Sequence, residues 1–205
     1  LVTNSNCSAS GLAMVLCALE PLKLRTVHVA TYQSVSGAGY PGAASLDILG
    51  NVVPYIARED EKIAAETRKM LGTLQNGRIV EHPAKVIACA ARVPTLFGHL
   101  ETAFIEVEAP CDAQDVISLL RSFKGHEIAR FLHSTPNPPI EVMDDPARPQ
   151  PRLDALRGAG MTVSVGGIRC TDGTISLRLL VNNVIRGAAG GSVQNAELAI
   201  AAGRL

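Results

Sequence analysis

The sequence predicts an α+β domain, a mixed β-sheet with helices packed on one face. Segments with strand-like alternation outnumber the helical segments between them. Asp172-Gly173 joins two apolar runs, a hairpin signal that demands at least one antiparallel pair. The helical segments each carry a single apolar stripe, as helices do when they cover a sheet from one side.

Residues 7–20 read as a helix, with Ser5 or Asn6 as N-cap and Leu12, Val15, Leu16 and Leu19 on one face. Pro21 ends it. Residues 25–33 alternate, with Val27, Val29 and Thr31 on one side, and predict a strand. The glycine-rich stretch 34–45 (SVSGAGYPGAAS) predicts a loop with unusual backbone angles or a close approach to a ligand. Residues 59–75 read as a helix striped by Ile63, Met70, Leu71 and Leu74, and three acids in its first turn suit the helix dipole. Residues 85–92 and 102–108 are expected strands around the turn-rich PTLFGHL, and Asp112 caps an expected helix to about Phe123. Residues 134–152 hold six of the twelve prolines and predict an ordered, irregular arm. Residues 161–169 and 174–185 are the hairpin strands, and a Gly-opened helix closes the sequence.

With 205 residues, 47% of them hydrophobic, the chain suffices for one large domain, 1–205, with a real core. A net charge of zero gives no electrostatic case for nucleic acid or an anionic membrane, and the lack of Trp removes the usual base-stacking platform. No apolar run reaches the roughly 20 residues of a membrane span. The five cysteines, at 7, 17, 89, 111 and 170, are odd in number and show no C-x-x-C spacing. Reduced thiols and a cytoplasmic location are therefore expected. Cys17, Cys89 and Cys170 read as small buried hydrophobes, and His28 as a core or interface residue. No His/Cys/Asp group has metal-ligand spacing, so no metal is expected.

Cys7 stands apart. NSNCSASGL places a thiol at a helix start, where unpaired amides and the dipole favour thiolate and can hold an oxyanion. That is the setting of a nucleophile, although a buried thiol alone reads equally well. Arg92 and His99 taken singly read as surface residues beside a turn. Glu59 and Lys62 read as a solvated helix start, and Gln33 as a strand-edge residue.

NSNCSASGL, TYQSVSGAGYPG, NVVPYIAREDEKIAAET, ARVPTLFGHLE and LVNNVIRGAAGGSVQNAE, in this order, resemble the aspartate-semialdehyde dehydrogenase family, in its archaeal and fungal branch. The resemblance runs from Leu1 to about Glu197. It implies a catalytic and dimerisation domain like the C-terminal domain of glyceraldehyde-3-phosphate dehydrogenase. It also implies NADPH-dependent reductive dephosphorylation of 4-aspartyl phosphate through a cysteine thioester, serving lysine, methionine and threonine synthesis. By this resemblance Cys7 is the acyl-thioester cysteine, Gln33 orients the substrate, and His99 is the general acid/base. Arg92 grips the substrate carboxylate, Glu59 positions the substrate amine or a loop, and Lys62 meets the phosphate. Ser36, Gly37 and Asn195 match positions that touch NADP. The family usually has two glycines where Ala57-Arg58 stand here.

The family's nucleotide-binding half, a Rossmann domain with a glycine fingerprint, has no counterpart in these residues. The resemblance therefore implies that most NADP contacts come from a domain preceding Leu1, that the chain alone is inactive, and that it forms a homodimer or tetramer. Two alternatives remain open at this point: a malonyl-CoA reductase acting on a CoA thioester, and a non-catalytic dimerisation domain.

Overall fold

The computed structural model describes residues 2–204. Helix α1 (Cys7–Leu19) starts where the sequence places it, with Asn6 as the cap. Strand β1 (Leu24–Gln33) follows, then a single turn α2 (Ser45–Ile48) and helix α3 (Glu59–Met70). The short strands β2 (Thr73–Gln75) and β3 (Arg78–Val80) form a separate hairpin. Next come β4 (Lys85–Arg92), β5 (His99–Val107) and α4 (Ala113–Ser122). The proline-rich arm contributes β6 (Ile140–Val142) and the turn α5 (Pro151–Asp154). The hairpin β7 (Val163–Thr171) and β8 (Thr174–Val181) leads through a π-helical turn, Ile185–Ala189, into α6 (Gly190–Ala201).

Six strands make one mixed sheet in the order β4-β1-β5-β8-β7-β6. β1 pairs with β4 and β6 with β7 in parallel, and the other pairs are antiparallel. The period of two sends Val27, Val29, Thr31 and Gln33 of β1 to one face, with His99, Glu101, Ala103 and Ile105 of β5 beside them, all buried. Helix α1 lies on that face and buries Leu12, Val15, Leu16 and Leu19 completely, flanked by α3 and α4. Truncating one such leucine to alanine costs about 2–5 kcal/mol. The opposite face, at β4, β1 and β5, carries exposed Ile87, Cys89, His28, Tyr32 and Phe104.

Several expectations are corrected. The helix expected over 59–75 stops at Met70, because Asn76-Gly77, both at positive φ, form a tight hairpin turn. Leu74 lies 76% exposed on that hairpin rather than on a helix stripe. The strand expected from 102 begins at His99, and the strand expected to 185 ends at Val181, where Asn182 and Asn183 turn away to bind loops. Cys17 and Cys89 are exposed, not buried: one sits on the outer side of α1, the other on the open sheet face. The proline-rich arm is pinned by one buried carboxylate. Asp154, fully buried, holds it by accepting from Arg157 Nε at 2.9 Å, from the Gln150 amide at 2.7 Å, and from Arg148.

Candidate active site

The C-terminal ends of β1 and β4, the start of β5 and the N-terminus of α1 meet at one place. Asn6 Oδ1 accepts from the Ser8 and Ala9 amides, both at 3.0 Å. The cap thus consumes two of the donors that the helix start was expected to offer an oxyanion. The Ser8 amide, shared with the cap, and the Cys7 amide are the helix-start donors near the sulfur. A carboxylate ties this corner to α3: Glu59 Oε1 accepts from Asn6 Nδ2 and from Gln33 Nε2, each at 2.8 Å. Gln33 Nε2 also reaches Ser8 Oγ at 3.1 Å and Thr31 Oγ1 at 3.2 Å. Its amide nitrogen is therefore held, and its carbonyl oxygen is the end left for a ligand. Gly187 packs on Cys7 itself, since a Cβ there would stand 2.5 Å from Cys7 Cβ.

Arg92 and His99 converge over the glycine loop. A Cβ on Gly37 would lie 2.8 Å from Arg92 Nη1 and 3.0 Å from His99 Nε2, so both groups border one small space. Arg92 Nη1 donates to the Ser34 carbonyl at 3.0 Å. The Ser34 amide donates to His99 Nδ1 at 3.1 Å. That backbone donor makes Nδ1 an acceptor and assigns the proton of a neutral ring to Nε2. His99 Nε2 is buried and meets no partner. Ser34, Ser36 and Asn183 lock the loop: Ser34 Oγ donates to Asn183 Oδ1 at 3.1 Å, Asn183 Nδ2 to Ser36 Oγ at 2.9 Å, and the Gly98 amide to Asn183 Oδ1 at 2.9 Å.

The electrostatics correct one expectation. Burial, reinforced by the Glu59 carboxylate, pushes the Cys7 thiol up to about 11, against the thiolate foreseen from its helix position. The dipole is outweighed because the sulfur is enclosed beside a carboxylate. Burial, together with the Arg92 charge, lowers His99 to about 3, so its imidazole is neutral at physiological pH. Burial also lowers Arg92, while Glu59 and Cys7 act in the opposite direction. In the free site the thiol keeps its proton and His99 is a neutral Nε2–H donor.

The remaining expected residues lie further out. Lys62 is exposed one turn along α3 from Glu59 and makes no ion pair among the described residues. Ser36 lines an apolar cleft of about 620 Å³ with Tyr40, Leu49 and Phe97. Asn195 lines a different cleft, of about 850 Å³, with Asn4, Lys69 and Arg186. Neither cleft is lined by Cys7, Arg92 or His99. Arg58, which precedes α3, has φ +60°, the left-handed region that favours glycine. Sequence reasoning missed Ser34, Asn183 and Glu101. The last was findable, because a strand starting at His99 puts residue 101 on the same face.

Residues 16–186 match the model of the semialdehyde dehydrogenase dimerisation domain. The chain belongs to the semialdehyde dehydrogenase family. An aspartate-semialdehyde dehydrogenase from Methanothermobacter thermautotrophicus is 41% identical over 97% of this chain and 58% of its own length. The crystal structure of aspartate semialdehyde dehydrogenase with NADP from Candida albicans superposes with a TM-score of 0.88 at 36% identity, covering 98% of this chain and 58% of that one. A malonyl CoA reductase (NADP) from Metallosphaera sedula is similar at 36% identity, over 99% of this chain and 58% of its own length. The chain thus spans somewhat over half the length of these relatives. It shares the archaeal and fungal branch and the fold expected of it.

Proposed function

We propose that this chain is the catalytic and dimer-forming part of an NADPH-dependent aspartate-semialdehyde dehydrogenase, with the dinucleotide-binding domain supplied outside it. The observation that carries the reading is the convergence of the Arg92 guanidinium and His99 Nε2 on the space over Gly37, beside a cysteine at a helix start.

In this reading the fork of Arg92, with only Nη1 committed to Ser34, holds the α-carboxylate of 4-aspartyl phosphate. The Gln33 carbonyl accepts from the substrate amine, and Glu59 keeps Gln33 and the helix cap in place. Lys62 offers a point charge to the phosphate. The Cys7 sulfur bonds to the acyl carbon, the carbon–oxygen bond to phosphate breaks, and the thiol proton leaves on the phosphate as hydrogen phosphate. That route suits a thiol that rests protonated, since the leaving group itself takes the proton. His99 Nε2–H and the Cys7 amide donate to the developing oxyanion. Without a side chain at Gly37, the loop backbone packs on Arg92 and His99 within contact distance. NADPH, when bound, supplies the hydride that reduces the thioester. Ser36 and Gly37 would border it at the reacting end, and Asn195 would meet it from the other cleft.

The helix-free sheet face, with Tyr32, Ile87 and Phe104 exposed, is the surface we assign to a two-fold dimer. The description of the matched family as a dimerisation domain supports this. No helix among the described residues is long and apolar enough to cross a membrane.

The full-length protein carrying this chain, given aspartate semialdehyde, phosphate and NADP, should form NADPH, and Cys7→Ser should abolish it. Activity with malonyl-CoA in place of the aspartyl substrate would instead select the CoA-dependent reaction.

A further inference from the structure

Glu101 is the most conspicuous group that this mechanism leaves unused. It sits on β5 two residues after His99, on the same face, between Thr31 of β1 and Leu179 of β8. It is fully buried, and neither carboxyl oxygen meets a hydrogen-bond partner. Ser8 of α1 approaches it without reaching hydrogen-bond geometry, and Ser8 Oγ already accepts from Gln33. The carboxyl therefore lies behind the chain that links Ser8, Gln33 and Glu59, close enough to Cys7 to act on its ionisation.

An unpartnered carboxylate in such a place is costly. The charge is relieved by keeping the proton, because burial opposes the ionised form far more than it opposes the acid. The titratable groups around it are Cys7 from α1, Glu59 from α3, and His99 on its own strand, with Arg92 of β4 completing the charges of the site. Thr31 and Leu179, its neighbours across the strands, carry no charge.

We propose that Glu101 is a positioning residue, kept as the uncharged carboxylic acid behind Ser8, which sets the charge environment in which the Cys7 sulfur passes between thiol and thiolate. Burial raises Glu101 well above the ordinary carboxyl range, in keeping with this role. While Glu101 is neutral, the thiolate expelled as the aldehyde forms meets one negative neighbour, Glu59, rather than two. If Glu101 ionises, the thiolate is opposed, and if Cys7 ionises, Glu101 holds its proton more tightly. The two titrate as a coupled pair. The inference rests on the reading of Cys7 as the nucleophile.

The test is the pH profile of Cys7 alkylation by iodoacetamide, read by peptide mass spectrometry on this chain and on Glu101→Gln. In wild type the profile should be broader than a one-proton curve. In the variant it should narrow to one proton, with its midpoint lowered by about one unit, and the two profiles should converge toward neutral pH, where Glu101 is uncharged in wild type. A wild-type profile that already fits one proton, or a midpoint that the variant leaves in place, would overturn the proposal. If Glu101→Gln does not fold, the infrared spectrum of wild type decides. A carboxylic-acid carbonyl band should persist at pH 7 and bleach at alkaline pH, and its absence at pH 7 overturns the idea. Failure of Cys7 to take an acyl group from 4-aspartyl phosphate would sink the proposed function while leaving this coupling measurable. Normal acylation without the coupling would sink only this inference.

Discussion

Gly37→Ala is the sharpest single perturbation of the site. The new methyl would stand 2.8 Å from Arg92 Nη1, 2.9 Å from His99 Cε1 and 3.0 Å from His99 Nε2. Ordinary contact is about 3.5 Å or more, so the two side chains must yield by roughly half an ångström. Gly37 does not have positive φ, so alanine adds no backbone strain there and the effect is one of space. Overpacking of this kind costs about 1–3 kcal/mol of stability. Misplacing catalytic groups by about 1 Å costs on the order of 100-fold in rate, so the smaller shift here should cost about 10- to 100-fold in Cys7 acylation. The assay is the initial rate of thioester formation from 4-aspartyl phosphate, quenched in acid and mapped to Cys7, with the melting curve measured alongside. A variant that acylates at the wild-type rate would refute the convergence of Arg92 and His99 on the reacting space.

Two further outcomes follow from the same structure. His99 is held at about 3 in the fold, against about 6.5 in an unfolded chain. Its folded value is depressed, so its contribution to stability is present above pH 6.5 and is lost as pH falls toward 3. Melting temperature should drop over that window, and His99→Gln should flatten the drop; an equal slope in the variant would contradict the burial argument. Arg58 has φ +60°, which costs a residue with a side chain about 1–2 kcal/mol relative to glycine. Arg58→Gly frees the unfolded chain by about 0.4–1 kcal/mol, so the net gain in stability should be under about 1.5 kcal/mol, read by urea denaturation. A loss would mean that the Arg58 side chain contributes contacts of its own.

Much of this architecture is legible in the sequence, for identifiable reasons. Helix α1 is set by a cap and an apolar stripe, both local, and its boundaries follow from Asn6 and Pro21. The β7–β8 hairpin is set by Asp172-Gly173, again local. The Asn76-Gly77 turn is equally local, but the apolar residues before it also fit a helical period, and the expected helix ran up to the turn through what is strand β2. The site is legible as a set of residue types, and less so as chemistry. A thiol at a helix start looks activated until Glu59, 52 positions away in sequence, and the enclosing sheet are in place. A histidine looks like a ready base until the Ser34 amide claims Nδ1 and burial removes its charge. Both corrections come from long-range packing, which no spacing in the chain encodes.

Side-by-side labelling of the five cysteines tests the central claim most directly. The chain is exposed at pH 7 either to iodoacetamide or to 4-aspartyl phosphate, and each cysteine is then quantified by mass spectrometry. The account predicts that iodoacetamide takes exposed Cys17 and Cys89 well ahead of Cys7, whereas the acyl phosphate modifies Cys7 alone, because only the bound substrate carries away the thiol proton. Acylation spread across the exposed thiols, with Cys7 untouched, would contradict it.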